Sequence, residues 1–286
     1  MSAAAAREAL AQGDLDGAQA RLVESIRAKP GDAALRAFLW QLASVRGDWD
    51  RARKQLDVLA GIKPDALDLL DDYRAAIAAE ETRSAVFAGR TRPVVFGGAR
   101  DWTDKLVDAL AREAAGEADA AAALRAEALD LAPAVAGEAD GTRFEWCADA
   151  DTRLGPVLET VMNGMYHWLP MSEIGALEIT PPSDLRDLVW SVAILTVPQG
   201  GQWPILIPSR YPGSEADPDP AVRLARRTEF RDLAGGHVAG RGQRLIAHSE
   251  GDVPFLELRR LGFDHPDPVL DPDAGEGADA DPDGAG

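Results

Sequence analysis

The chain has 286 residues, of which 46% are hydrophobic, and its formal net charge is -18 at pH 7. The hydrophobic fraction excludes a wholly disordered protein, and the length suits one or two domains. The acidic balance excludes general affinity for nucleic-acid phosphates and for anionic membrane surfaces, because both need clustered Lys and Arg.

The cysteine content and the apolar runs indicate the compartment. Cys147 is the single cysteine, so an intrachain disulfide and a cysteine metal cage are both excluded. No apolar run approaches the ~20 residues that span a bilayer. Residues 1–14 also lack the basic start and continuous apolar stretch of a signal peptide. We therefore expect a cytoplasmic protein.

The first part of the chain contains a repeat of 34 residues, which is the period of tetratricopeptide (TPR) repeats. The recurring residues are Gly13, Ala18, Leu22 and Pro30 in the first copy and Gly47, Ala52, Leu56 and Pro64 in the second. Each copy predicts two antiparallel helices, with glycine at the turn between them and proline after the second helix.

A weaker third copy follows one long helix, which the spacing of apolar residues predicts over residues 65–89. The third copy has Gly116, Ala121, Leu129 and Pro133 at the repeat positions, with Arg125 where the first two copies have leucine. Residues 1–135 are therefore predicted to form a TPR-like helical domain. Such stacks bind a peptide or helix; the alternative is that they brace the rest of the protein. Because the first helix is apolar, a homodimer formed through that helix is a further alternative.

After residue 135 the pattern changes to alternation and turn residues. The strand-length runs are FEWCAD, VLETVM, MYHWL, IGALEI, VWSVAILTV, WPILIP, QRLIAH and PFLELRRL. Asn163-Gly164 and the segment PQGGQ predict two hairpins. The fold class is therefore multidomain α+β, in which the TPR-like helical repeat precedes a mostly antiparallel β domain at residues 136–264. That domain is expected to be a curved sheet or a small barrel.

The last segment of the chain, residues 265–286, has seven acidic residues and no Lys or Arg. A segment of this composition does not bury enough apolar surface to fold. We predict a disordered acidic tail. Solvation of the terminus is the simpler role for this tail, and a partner-binding acidic arm is the alternative.

The search for catalytic motifs is mostly negative. The glycine-rich residues 235–242 lack the lysine and hydroxyl of a phosphate-binding loop, and there is no GxSxG nucleophile motif. The sequence thus predicts no catalytic residue, no cofactor and no metal. The alternative is a metal-dependent or hydrolytic enzyme with a site around Asp149, Asp151, Glu159 and His167. The simpler interpretation of the two aspartates is turn capping and an ion pair with Arg153.

Three motifs in fixed order resemble a known family. DADTRLGPVLE (149–159), RYPGSE (210–215) and GRGQR (240–244) are together similar to the ImpE/TagJ family of type VI secretion accessory proteins. The resemblance covers nearly the whole chain except the acidic tail. It implies a non-enzymatic cytoplasmic adaptor that binds the small sheath subunit TssB through a helix near the N-terminus of TssB. It also implies a link to sheath handling by the ATPase ClpV.

The resemblance and residue chemistry together select candidate contacts with a partner. Trp, Tyr and Arg dominate the energetics of protein interfaces. Among the positions that match the family motifs, the predicted partner-binding residues are Trp168, Arg186, Arg210, Tyr211, Arg226 and Arg244. Besides the adaptor and the enzyme, a third hypothesis is a purely structural scaffold, in which the β domain caps the helical stack.

Overall fold

Seven α-helices form the first part of the computed structural model, which describes residues 3–265. They are α1 (Ala3–Ala11), α2 (Leu15–Ala28), α3 (Ala33–Val45), α4 (Trp49–Ile62), α5 (Leu67–Phe87), α6 (Asp101–Ala114) and α7 (Ala118–Leu131). Within the described residues, every helix is too short or too polar to cross a membrane. The predicted acidic tail, apart from His265, lies outside these residues.

The two Gly-Asp turns build the predicted helical hairpins α1–α2 and α3–α4. Gly13 and Gly47 end the first helix of each pair with φ values of 80° and 69°, a conformation that favours glycine. The carboxylates of Asp14 and Asp48 then accept hydrogen bonds from first-turn amides of α2 and α4, at 2.7 and 3.2 Å. The prediction of two TPR-like hairpins is confirmed.

The long helix and the weaker third hairpin are also present. α5 has 21 residues, and α6 and α7 turn at Gly116, whose φ is 79°. Arg125, which replaces the repeat leucine, is 1% exposed, and its guanidinium lies 2.7 Å from the Glu113 carboxylate. A buried guanidinium paired with a partly exposed carboxylate therefore takes the place of an apolar contact in this hairpin.

The strands form three sheets among the described residues. They are β1 (Val94–Val95), β2 (Gly137–Ala139), β3 (Thr142–Phe144), β4 (Cys147–Asp149), β5 (Val157–Met162), β6 (Met165–Pro170), β7 (Ala176–Ile179), β8 (Trp190–Thr196), β9 (Gln202–Pro208), β10 (Thr228–Asp232), β11 (Val238–Gly242), β12 (Leu245–His248), β13 (Gly251–Pro254) and β14 (Arg260–Phe263), and a short helix α8 (Pro220–Arg223) precedes β10. The large sheet has nine strands in the order β1-β6-β5-β9-β8-β7-β14-β2-β3. The smaller sheets are β10-β11 and β13-β12-β4.

Both predicted β-hairpins are confirmed. Asn163 and Gly164 connect β5 to β6 with φ values of 50° and 74°, the left-handed pair that a tight hairpin turn requires. β8 and β9 pair along seven residues each. The pairing is antiparallel except between β1 and β6. The large sheet is open, with β1 and β3 at its edges, so the open form rather than the barrel is the one present.

One predicted strand, PFLELRRL, is wrong. Glu257 N donates to Pro254 O at 2.9 Å, and Leu258 N donates to Phe255 O at 3.3 Å, which makes this segment a turn. Phe255 and Leu258 are both fully buried. Their spacing of three residues suits a turn that points both side chains into the core, and β14 begins only at Arg260.

The nine-stranded sheet is covered on both faces over β5 and β6. On one face, Val157 and Trp168 pack with Leu106 of α6. On the other face, Leu158 and Leu169 pack in a core that includes residues of the three-stranded sheet. Each strand therefore contributes alternate side chains to two different cores.

Helices α3, α4 and α5 pack against the second half of the chain. The ring of Trp190 in β8 lies 5.9 Å from that of Trp49 and 6.1 Å from that of Tyr73. A 3₁₀ turn at Leu185–Leu188 also packs on α3. In addition β1, which lies between α5 and α6, pairs with β6. The division into domains at residues 1–135 and 136–264 stays a prediction.

Replacing Gly47 by alanine should lower the free energy of unfolding by about 1–2 kcal/mol, because a left-handed backbone is costly for an L side chain. The added Cβ would also lie 2.5 Å from Cγ of Glu215. Gly61→Ala in α4 is the matched control, since no atom lies within 4 Å of its added Cβ. It should raise stability by up to about 1 kcal/mol. Urea unfolding measures both changes, and an unaltered midpoint for Gly47→Ala would contradict this role of the turn.

Candidate functional site: a buried arginine network between helices and sheets

Arg244 connects the two larger sheets. It lies just before β12, and its side chain is fully buried. Its guanidinium donates to the carboxylates of Asp149 in β4 and Glu159 in β5, and its Nε donates to the carbonyl oxygen of Pro208 at 3.0 Å. Because the two carboxylates belong to different sheets, one guanidinium fixes the position of one sheet on the other.

Arg83 brings α5 into the same network. Its Nε and Nη2 donate to the two carboxylate oxygens of Glu159 at 2.7 and 2.8 Å, a bidentate pair. Nη2 also donates to the carbonyl oxygen of Arg210 at 2.7 Å, and Nη1 donates to Glu80 at 3.3 Å. Glu159 therefore accepts from two arginines, one on a helix and one beside a strand.

Buried aromatic side chains supply the remaining donors. The Tyr166 hydroxyl donates to Glu159 at 2.5 Å and accepts from Trp168 Nε1 at 2.9 Å. The Trp190 Nε1 donates to Glu80 at 3.0 Å. Trp190 thereby satisfies the Glu80 oxygen that Arg83 does not reach, and a buried carboxylate oxygen without a donor would be costly.

The pKa values of the buried carboxyl groups diverge. Burial acts to raise the pKa of Glu159, but Arg83 and Arg244 outweigh it and lower the pKa to about 2. Burial raises the pKa of Asp149 to about 7 against the opposing effect of Arg244, which Asp149 shares with Glu159. Burial also raises the pKa of Glu80, with Arg83 opposing it. Glu159 is thus the carboxylate that holds its charge most firmly.

The three sequence motifs meet around this network. The Arg244 guanidinium lies over the Tyr211 ring, with its central carbon 5.5 Å from the ring centroid. Gly240 lies so close to the same ring that a Cβ there would be 2.4 Å from it. Asp151 accepts from Gly240 N at 2.9 Å and forms the predicted ion pair with Arg153. Residues of all three motifs therefore pack against one another in this chain.

Two further arginines bind the ends of the repeat helices. Arg210 Nη1 donates to the carbonyl oxygen of Val45 at 2.9 Å, at the end of α3. Arg226 donates to the carbonyl oxygens of Ala11 and Leu10 at 3.0 and 3.3 Å, at the end of α1. The last carbonyl groups of a helix lack intrahelical donors and carry partial negative charge, so a cation there is stabilising.

The structure separates the six predicted partner contacts into two groups. Four side chains are at most 4% exposed and surround the network: Trp168, Arg210, Tyr211 and Arg244. Arg226 is exposed, and Arg186 is partly exposed, with its guanidinium 5.0 Å from the centroid of the Tyr73 ring. Partner contact at these six positions stays a prediction.

The residues of the alternative enzyme do not assemble into one site. Asp149 and Glu159 are bound by Arg244, and Asp151 is bound by Arg153. His167 alternates with Trp168 along β6, so it faces away from Glu159, and its Nδ1 lies 2.9 Å from the carbonyl oxygen of Met165. Among residues 3–265, no group of three or more His, Cys, Asp or Glu side chains is placed to hold a metal ion.

Sequence reasoning missed Arg83 and Glu80, which join the helices to the network. A signal was present in α5. Glu80 follows Ile77 by three residues, and Arg83 precedes Val86 by three, so both charges lie on the buried stripe of the helix. Charged residues on an apolar stripe indicate buried ion pairs, although the sequence does not say with which strand.

A cleft of about 500 Å³ opens beside the network, between α4, α5 and the RYPGSE segment. Its charged lining residues are Glu80, Glu81, Arg83, Arg90, Arg153 and Glu215. The three acidic and three basic side chains balance, so the cleft offers no net charge to attract an anion or a cation. Its chemistry is that of a polar contact surface.

Replacing Arg244 by glutamine should cost about 3–5 kcal/mol of unfolding free energy, because two buried carboxylates lose their shared cation. Arg143→Gln is the matched control, since its ion pair with Asp264 is 59% and 54% exposed. That change should cost less than about 1 kcal/mol. If Arg244→Gln does not fold, Arg244→Lys keeps the charge and measures the smaller loss of the guanidinium geometry. Equal denaturation midpoints for the Arg244 and Arg143 variants would contradict the central role of Arg244.

The dependence of stability on pH should have opposite signs at Glu159 and Asp149. Unfolded Glu159 binds a proton near its ordinary pKa of 4.5 and the folded group only near 2, so its contribution is lost as pH falls between these values. For Asp149 the contribution is lost as pH rises from 3.8 to about 7. Urea unfolding at several pH values measures both effects. Glu159→Gln should remove the loss of stability as pH falls from 4.5 to about 2. Asp149→Asn should remove the loss of stability as pH rises from 3.8 to about 7. Slopes equal to those of the parent would contradict the assignment.

Comparison with known proteins agrees with this architecture. The family model described as ImpE protein matches residues 141–262, and a tetratricopeptide repeat model matches residues 9–79. The crystal structure of protein VPA1032 from Vibrio parahaemolyticus superposes on this chain with a TM-score of 0.83 and 26% sequence identity. The superposition covers 91% of this chain and 98% of VPA1032.

A second comparison extends over nearly the whole chain. The type VI secretion system accessory component TagJ of Pseudomonas aeruginosa is 46% identical over 262 residues, which is 92% of this chain and 92% of TagJ. The ImpE match includes the whole of all three motifs. The chain therefore belongs to the ImpE/TagJ family.

Proposed function

We propose that this protein is a non-enzymatic adaptor of the bacterial type VI secretion system. The observation that carries the proposal is its 46% identity over 92% of the chain to a type VI secretion accessory component. Two features support it. The N-terminal hairpins are of a kind that binds other proteins, and the carboxylates of the first motif are paired with arginines rather than free to act as bases.

The proposed partner is the small sheath subunit TssB, bound through the helix near its N-terminus in the cytoplasm. A link to the ATPase ClpV follows if ClpV acts on sheaths that carry this protein. The support is the family resemblance, together with a general preference: a helix with one apolar face binds in a groove between helices or between a helix and a sheet.

We propose direct partner contact for Arg186 and Arg226, whose guanidinium groups reach the surface. Trp168, Arg210, Tyr211 and Arg244 act from inside, as positioning residues that hold the helices and sheets in the binding arrangement. Interface statistics favour Trp, Tyr and Arg as residue types, and they do not separate an arginine at the surface from one in a buried network.

Titration calorimetry with a peptide covering the N-terminal helix of the cognate TssB tests the proposal. We expect saturable one-to-one binding at 1 μM or tighter, which corresponds to about −8 kcal/mol. A peptide of the same composition in scrambled order is the control, since it keeps the charge but loses the apolar face. Absence of heat, combined with failure of the peptide to compete with full-length TssB, would contradict the choice of partner.

A further inference from the structure

Helices α2, α3 and α4 differ in charge from the rest of the chain. The whole chain has 30 Lys and Arg against 48 Asp and Glu. Residues 15–63 have the opposite balance, with nine Lys and Arg against six Asp and Glu. A positive surface on an otherwise acidic protein attracts acidic groups, because the field of the whole molecule directs them to it.

A cleft of about 350 Å³ lies within this positive region, between α2, α3 and α4. We call it the repeat cleft. Among the described residues, no acidic side chain lines it. It therefore combines an apolar lining with positive charge. The apolar lining consists of Val23, Ile26 and Leu39, and the charged lining residues are Arg27, Arg36 and Arg51.

The three arginines are available to bind carboxylates. Arg27 is exposed and forms no ion pair within the part of the chain that the structure describes. Arg36 donates to the carbonyl oxygen of Pro30 from Nε and Nη2, both at 3.1 Å, so its guanidinium is held in place while its charge stays unpaired. Arg51 lies 3.4 Å from Asp48, and both side chains are more than a third exposed, which makes this ion pair weak.

The acidic tail of the same chain has the complementary chemistry. Residues 266–286 contain seven Asp and Glu and no Lys or Arg. Within them, the sequence ADADPD at 278–283 alternates small apolar residues with aspartate. In an extended segment, alternate side chains point to opposite sides. Three carboxylates would then share one side, and two alanines and a proline would share the other.

The acidic tail is long enough to reach the repeat cleft. Asp279 and Asp283 follow His265, the last described residue, by 14 and 18 residues. This separation spans at most about 46–65 Å of extended chain. A compact chain of the described length has a radius of gyration of about 18 Å, which corresponds to a sphere about 47 Å across. Most of the surface of the protein therefore lies within reach of these aspartates.

The remaining surface is less suited to an acidic segment. Residues 64–265 contain 33 Asp and Glu against 20 Lys and Arg. A segment with seven negative charges is repelled by that balance and attracted by the opposite balance of residues 15–63. The same acidic surroundings disfavour a nucleic acid, whose phosphates would extend beyond the three arginines.

We propose that the acidic tail binds in the repeat cleft of its own chain. The aspartates at 279, 281 and 283 pair with the three arginines of the cleft, and the small residues between them lie against its apolar lining. The cleft is then closed to any other acidic peptide that does not displace the tail. This inference goes beyond the proposed function and does not depend on TssB.

The test measures competition between the attached tail and a free copy of it. The probe is a fluorescent peptide of residues 274–286, and anisotropy reports its binding. The tail variant is the full chain with Asp279→Asn, Asp281→Asn and Asp283→Asn combined. We expect the tail variant to bind the peptide one to one, and the parent to bind it about tenfold more weakly, because the attached tail competes at an effective concentration in the mM range.

Substitutions in the repeat cleft identify the site of binding. Arg27→Gln and Arg51→Gln, combined in the tail variant, should abolish saturable binding of the peptide. Arg90→Gln in the same background is the matched control, since Arg90 is an exposed arginine without an ion pair among the described residues. It should leave the affinity unchanged. Added salt should weaken binding, because the contacts are exposed. Thermal unfolding checks that every variant folds.

A second control separates the tail from the net charge of the protein. It combines Asp130→Asn, Glu145→Gln and Asp252→Asn, which remove three exposed acidic groups that form no ion pair within residues 3–265. This variant changes the net charge as much as the tail variant does, but it keeps the acidic tail intact. It should bind the peptide as weakly as the parent.

Several results would overturn the inference. Equal affinity of the parent and the tail variant for the peptide would show that the attached tail does not occupy the cleft. Absence of binding to both would show that the cleft does not hold this segment. A dimer of the parent that the tail variant dissociates would assign the cleft to the tail of a second copy. Tighter binding of a short oligonucleotide than of the peptide to the tail variant would assign the arginines to nucleic acid.

Discussion

The paired contacts of Glu159 with Arg83 and Arg244 are the interaction on which the assembly of this protein depends. Moving a carboxylate and two guanidinium groups out of water is costly, and only close, fully hydrogen-bonded partners recover that cost. Here the partners come from α5, from β5 and from the segment before β12. A shift of any one of these elements would leave a buried charge unpaired, so the network selects one arrangement of helices and sheets over its alternatives.

The repeat helices also make contacts within the protein, to the second half of the chain. Trp190 packs between Trp49 and Tyr73, and it donates a hydrogen bond to Glu80 in the network. Arg210 and Arg226 bind the carbonyl ends of α3 and α1, which are equivalent positions in the two hairpins. The ends of the first repeat helices, the start of α4 and one face of α5 thus bind the chain's own second half.

Local features of the fold were predictable from the sequence, and long-range ones were not. The glycine turns at 13 and 47 and the Asn163-Gly164 hairpin follow from a few adjacent residues, because the backbone conformation there is restricted. The pairing of Arg83 with Glu159 joins positions 76 residues apart, which no local pattern encodes. The segment PFLELRRL failed for a related reason. Its apolar residues fit a strand equally well, and only the surrounding core decides that Phe255 and Leu258 point the same way.

The two halves of α5 link this internal network to the surface. Its C-terminal half carries Glu80 and Arg83 into buried ion pairs, while its N-terminal half carries Leu69 and Asp72 along the edge of a cleft of about 270 Å³ between α5 and the large sheet. A helix fixed at one end by several buried hydrogen bonds does not have to be ordered when a partner binds at the other end. Association loses affinity through the ordering of flexible elements. A partner that contacted the N-terminal half of α5 would therefore meet a surface that the buried network already holds in place.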